Sequence, residues 1–223
     1  DHPRENWTDR YYQGTDPIFT ETGMSKMASA IWDEHYKAPV CAFNYRVPNY
    51  RICYLQTALM NYYYGQCPHL IESNVGSGLV DYIDQKGQWN TCVSNYQLPL
   101  YLQTPSGASV GINKRANTAG KIIDKLIELV DTYGNKIQFD EFWVQLKTFS
   151  EKTLPSGKTR WETEDTKLYD DDLIDAVVYA YICRLAFDHK HPNLPHSQTV
   201  GKKKRYKLMM NDNFQMTMQK RSG

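Results

Sequence analysis

Tyr169-Asp170-Asp171-Asp172-Leu173-Ile174-Asp175-Ala176-Val177-Val178-Tyr179-Ala180-Tyr181-Ile182-Cys183 joins a run of aspartates to the most apolar stretch of the chain. Residues 173–187 are apolar on almost every face of a 3.6-residue repeat, which predicts a helix buried all round. Acids at a helix start are favoured by capping and by the helix dipole, worth roughly 0.3–1 kcal/mol. That accounts for Asp170, Asp171 and Asp172 without any further role. Asp175 is different: if Asp170 or Asp171 is the cap it lies beyond the first turn, between Ile174 and Ala176, and ionised carboxylates are almost never buried unpaired. Asp172 and Asp175 are three residues apart and share a helix face. Two aspartates placed so need a cation between them, or one must hold a proton. No Lys or Arg occurs between residues 168 and 183. The cation has to come from elsewhere, and a divalent ion held by oxygen ligands is the economical candidate.

Upstream of this helix the chain reads as strands first, then helices and strands mixed. Gly14-Thr15-Asp16-Pro17 opens a segment with strand character. Residues 27–33 and 39–45 are apolar stretches separated by polar Glu34, His35, Tyr36 and Lys37, a hairpin pattern. Residues 50–64 carry Ile52, Leu55, Leu59 and Tyr62 at helical spacing. His69-Leu70-Ile71-Glu72 reads as a short buried strand running into the loop Asn74-Val75-Gly76-Ser77-Gly78. Residues 79–85 suit a helix, 91–96 another strand and 104–111 a loop. Residues 116–133 form an amphipathic helix with Ile122, Ile123, Leu126, Leu129 and Val130 on one face. Residues 139–149 fit a helix through Phe139, Phe142, Leu146 and Phe149, or a strand through Phe142, Val144 and Leu146. Residues 158–162 suit an edge strand. The order predicts an α/β fold with a mixed sheet.

Two more acids stand where local physics does not ask for them. Asp16 follows a Gly-Thr step in the first strand, although Asp before Pro is also a common turn signal. Glu72 ends the apolar pair Leu70-Ile71, although a charge just past a strand end is ordinary. If Asp16, Glu72, Asp172 and Asp175 converge, with Asp171 able to replace Asp172 in so dense a run, they form an all-oxygen cluster suited to Mg²⁺ or Mn²⁺. Two such ions roughly 4 Å apart activate a water and stabilise the leaving oxygen of a phosphodiester.

These three acidic segments resemble the nuclease domain of tailed-phage large terminase subunits, within the ribonuclease-H-like and retroviral-integrase group. Gly14-Thr15-Asp16-Pro17 with Thr22-Gly23 is similar to the first-strand aspartate motif. Ile71-Glu72-Ser73-Asn74 with Gly76 and Gly78 is similar to the second, and Tyr169 to Ala176 to the third. Gly111 followed by a basic segment and an amphipathic helix also fits. The likeness spans roughly residues 10 to 190. It implies a ribonuclease-H-like mixed central sheet flanked by helices over residues 1–190, followed by a polar, basic tail over 191–223. It implies a metal-dependent endonuclease cutting concatemeric double-stranded DNA during genome packaging in the host cytoplasm, with Asp16, Glu72, Asp171, Asp172 and Asp175 as ligands of two ions. Portal protein and the small terminase subunit are the implied partners. No GxxxxGK[ST] loop is present, so ATP hydrolysis is not expected of this segment, and the polar opening of the chain reads as that of an excised domain.

Two alternatives stay open. Asp-x-x-Asp-Ala before apolar residues also resembles the last motif of Holliday-junction resolvases. A net charge of +1 suits a protein partner better than bare DNA, so a non-catalytic module docking on portal or small terminase is the other. For DNA contact the positive charge must be local, and the candidates are Lys114, Arg115 and Lys121 and the run Lys202, Lys203, Lys204 and Arg205. Five scattered cysteines without a CxxC pair argue against a disulfide framework or zinc ribbon. No apolar run reaches the roughly 18 residues that span a bilayer.

Overall fold

The computed structural model of the chain describes residues 9–18, 26–74, 77–103, 109–153, 155, 157, 159–163, 170–187, 206–210 and 216–220. They fall into two units, Asp1–Asp188 and His189–Gly223. The first holds a four-stranded sheet in the order β3-β2-β1-β4. Strand β1 (Tyr11–Asp16) lies antiparallel to β2 (Met27–Asp33) and parallel to β4 (His69–Ile71), while β2 and β3 (Ala38–Tyr45) form the expected hairpin. The sheet is therefore mixed.

Period-2 alternation assigns its two faces. Tyr12, Ala28, Ala30, Trp32 and Leu70 pack with the last helix, α5 (Asp172–Ala186), and with residues of α3 (Ala116–Tyr133) and α4 (Asp140–Thr148). Their strand neighbours Met27 and Ile71 pack with Cys53 and Tyr54 of α1 (Tyr50–Tyr63) and with Leu79 and Ile83 of α2 (Ser77–Gln85). Tyr11 and Ile31 pack with Met60 and Tyr64. Helices thus cover both faces. Helix α5 crosses β1, where an added Cβ at Gly14 would lie 2.1 Å from the Ala180 backbone nitrogen and 2.3 Å from the Ala176 oxygen. Only a residue without a side chain admits helix backbone at that distance.

Two sequence expectations change here, and two others are made definite. Helix α1 forms, but it buries Cys53, Tyr54, Thr57, Ala58 and Asn61 and leaves Ile52 exposed. Part of the strand surface it covers is polar: the Gln13 amide donates to Ser29 Oγ and to the Thr57 carbonyl, and Thr15 Oγ1 shares hydrogen bonds with Ser29 Oγ and His69 Nε2. Residues 91–96 are not a strand. They form 3₁₀ turns at Trp89–Thr91 and Asn95–Gln97, with single bridges joining Cys92 to His69 and Ser94 to Val110. The Gln97 side chain accepts from the Ser94 backbone N–H at 2.9 Å, so a local bond takes the place of a ladder bond. Residues 139–149 resolve as α4, since Val144 is 43% exposed whereas a strand would bury it beside Phe142. The strand near 158–162 is β6 (Thr159–Thr163), paired antiparallel with β5 (Phe149–Thr153) in a ribbon separate from the main sheet.

In the second unit, β7 (Tyr206–Met210) pairs antiparallel with β8 (Met216–Lys220). No helix among the described residues is long and apolar enough to cross a membrane.

Candidate metal centre

Strand parity brings the first two acids together. Tyr12, Gly14 and Asp16 share the α5 face of β1, and Leu70 and Glu72 share it at β4. The parallel register pairs Gly14 with Leu70 and Thr15 with Ile71. One residue further on, Asp16 and Glu72 leave adjacent strands at the same C-terminal edge, where the Glu72 N–H donates to the Thr15 carbonyl at 3.0 Å. Helix α5 enters over that edge and adds Asp175. Asp16, Glu72 and Asp175 each present a carboxylate oxygen, and the three oxygens lie within 4.8 Å of one another.

Each acid is held differently. Glu72 Oε2 accepts from the Tyr179 hydroxyl at 2.6 Å, and Oε1 from the Asn74 amide at 3.2 Å. Asp175 is ion-paired with Lys114, whose ammonium also lies 3.9 Å from Asp171. Asp172 sits one turn earlier, with Oδ2 accepting the Lys26 backbone N–H at 2.7 Å. Asp170 faces away from the trio: it takes hydrogen bonds from Gln145 at 2.6 Å and Asn44 at 3.0 Å and pairs with the Lys26 ammonium at 2.8 Å. Gln145 also accepts the Ile174 N–H at 3.2 Å, so α4 fixes the first turn of α5. Nothing among the described residues donates a hydrogen bond to Asp16.

Burial raises the carboxyl pKa of Asp16, Glu72, Asp172 and Asp175. For Asp16, burial and then the charges of Glu72, Asp175 and Asp172 push it well above the ordinary range. For Asp172, burial and the Asp170 charge raise it to about 8, against the pull of the Lys26 N–H. For Asp175, burial raises it to about 7 although Lys114 draws it down. Burial also raises Glu72, offset by the Tyr179 hydrogen bond and Lys114. Burial alone would lower the Lys114 ammonium, but the charges of Asp175 and Asp171 raise it. One ammonium among Asp16, Glu72, Asp171, Asp172 and Asp175 leaves excess negative charge, and such a site favours further cations or protons. The donor set is all carboxylate oxygen, suited to a hard divalent ion.

Tyr179 escaped the sequence reading, and Asn74 entered it only as part of the second motif, without a role. Tyr179 looked like one more apolar residue of α5, yet its four-residue step from Asp175 places both on one helix face. Lys114, expected to follow phosphates, lies inside the acidic pocket with its side chain 20% exposed. Arg115 is exposed at the start of α3, and the exposed Lys121 donates to the Tyr101 carbonyl at 2.6 Å. Lys202, Lys203, Lys204 and Arg205 lie outside the described residues, as do Thr22, Gly23, Gly76 and Tyr169 of the motifs.

A four-stranded mixed sheet covered by helices, with acids gathered at one strand edge under the last helix, is a ribonuclease-H-like fold. The same fold occurs in the crystal structure of the large terminase nuclease from thermophilic phage G20c, with a TM-score of 0.57 at 15% identity, covering 77% of this chain and 81% of that one. The Thermus phage P74-26 large terminase nuclease domain gives 0.56 at 15%, covering 81% and 82%. The G20c nuclease with bound magnesium gives 0.56 at 14%, covering 81% and 84%. No protein-family model and no curated protein matches the sequence.

Proposed function

We propose that this chain is the nuclease domain of a phage large terminase, cutting double-stranded DNA by metal-dependent phosphodiester hydrolysis during genome packaging. The convergence of Asp16, Glu72 and Asp175 at one strand edge carries this reading. The likeness of fold to large terminase nucleases, one of them with bound magnesium, supports it. Asp16, Glu72 and Asp175 would hold Mg²⁺ or Mn²⁺, with Asp172 and Asp171 beside them to complete a second position. When bound, the ions supply activation of the attacking water and stabilisation of the departing oxygen. Tyr179 and Asn74 orient the Glu72 carboxylate, the Lys26 amide orients Asp172, and Gln145 holds the helix turn that carries the aspartates. Arg115 and Lys121, with the basic run at Lys202, Lys203, Lys204 and Arg205, are the phosphate-contacting candidates. In this role the domain would work in the host cytoplasm with portal protein and the small terminase subunit.

Incubation of the chain with supercoiled plasmid and Mn²⁺, with and without EDTA, tests the reading. We expect nicking and linearisation with Mn²⁺, none with EDTA, and loss of cutting in Asp16→Asn and Asp175→Asn. Nicking that survives EDTA, or full activity in Asp16→Asn, would overturn it.

A second reading, a docking module with a relict acidic patch, draws on the Lys114–Asp175 pair, which already gives one aspartate a partner. It leaves Asp16 without a donor among the described residues, and for that reason the nuclease is preferred.

A further inference from the structure

We infer that Lys114 is a tethered cation that occupies the centre when metal is absent and must leave Asp175 for a divalent ion to bind. The inference rests on the metal-centre reading above and adds a competitor built into the chain.

The backbone of the loop delivers Lys114 to the pocket. Gly111 adopts φ +85°, and a Cβ there would lie 2.2 Å from the Ile71 carbonyl oxygen. That close approach lets the Ile112 N–H donate to Ile71 at 2.8 Å and the Ser73 N–H donate to Ile112 at 2.7 Å. Two residues later the Lys114 carbonyl accepts the Asn74 amide at 2.9 Å, the same amide that reaches Glu72. The loop is thus stitched to the end of β4, and the side chain of Lys114 has the acids as its charged neighbours.

An ammonium is a compact point charge with three donors on a flexible stem. It can neutralise Asp175 and bias Asp16, Glu72 and Asp171 without fixing their geometry. A divalent ion at Asp175 would face that positive charge directly, and the two repel at contact distance. The flexible stem, with the Lys114 side chain already 20% exposed, allows the ammonium to withdraw toward solvent. The metal-free fold is then stabilised by its own lysine, and divalent-ion affinity is reduced by the free energy of displacing it.

Two measurements on the full chain test this. Calorimetric titration with Mn²⁺ is run on the parent and on Lys114→Met. Labelling by an amine-reactive reagent, read residue by residue by mass spectrometry, is run on the parent in EDTA and in saturating Mn²⁺. We expect Lys114 labelling to rise about fivefold or more with Mn²⁺ while Lys121 stays constant, as expected when a shielded group is released. We expect Lys114→Met to bind Mn²⁺ about tenfold tighter and to melt lower in EDTA. Labelling of Lys114 that ignores bound Mn²⁺ would overturn the inference, as would unchanged or weaker binding in Lys114→Met. The labelling arm decides the matter on the parent even if the variant does not fold. Absence of Mn²⁺ binding to the parent would instead sink the metal-centre reading itself.

Discussion

At the scale of single residues, the acids of the centre make the metal-free protein sensitive to mild alkali. Asp175 and Asp172 hold protons up to about 7 and about 8 in the fold, whereas their ordinary value is 3.8. The folded state binds more protons than the unfolded one across that interval, so stability falls as pH rises through it. His69 works in the opposite sense. Burial pushes it down to about 3 from 6.5, so its contribution grows with pH and is complete above its unfolded value. The window is therefore from about pH 6.5 to 7.5, above the ordinary imidazole value and about a unit below the ordinary thiol value, where the carboxyl effect dominates. Melting in EDTA should decline across it, and less so in Asp172→Asn; a flat profile in the parent would refute the burial of these acids. Tyr179→Phe tests the positioning of Glu72. It removes the 2.6 Å hydrogen bond and leaves the ring in place. Loss of a partner behind a ligand typically costs 10–100-fold in metal affinity or activity. We expect Mn²⁺ affinity or plasmid cutting to fall about that far with melting little changed, and parent-like values in both would remove Tyr179 from the centre.

At the scale of elements, the site depends on how closely α5 lies on β1. The last helix brings Asp175 to Asp16 only because Gly14 lets helix backbone into the space a side chain would fill. The clash in Gly14→Ala is with backbone atoms, so a rotamer change cannot relieve it. Overpacking of this kind typically costs about 1–3 kcal/mol or more. Urea denaturation should show a loss at or above the upper end of that range, and cutting should fall as the strand and helix separate. A change below about 1 kcal/mol would mean the helix shifts freely. The helix and hairpin positions were legible in the sequence because each had enough residues for its periodicity to show. The inward face of α1 was not. Its buried Thr57 lies where the Gln13 amide reaches the Thr57 carbonyl, and its buried Asn61 donates to the Cys67 carbonyl at 2.9 Å; a helix read alone carries no record of the polar groups it will meet. The false strand at 91–96 failed for a local reason, since one Ser94–Gln97 side-chain bond took the place of a ladder bond.

At the scale of the whole molecule, a net charge of +1 cannot hold DNA by its overall field. If the basic run supplies the local charge, replacing Lys202, Lys203, Lys204 and Arg205 by Gln should weaken duplex binding at every sequence alike. The slope of log K against log salt should shrink by up to about 3–4, near 0.9 for each phosphate no longer neutralised. Filter binding at several salt concentrations would measure it, and an unaltered slope would assign DNA binding to Arg115, Lys121 or other residues.

The sequence by itself determined that an apolar helix carries aspartates it cannot neutralise locally. It also determined that Glu72 ends a strand, though not that Asp16 closes one (Tyr11–Asp16) rather than opening it, and that the order of elements makes a mixed α/β sheet. These are properties of composition and period, which act within a few residues. Only the tertiary structure decided which charges meet. Parallel register set Asp16 beside Glu72, and the close crossing at Gly14 added Asp175. A loop pinned to β4 brought Lys114 in from far along the chain, because charge and close packing act through space between residues whose separation in sequence carries no signal.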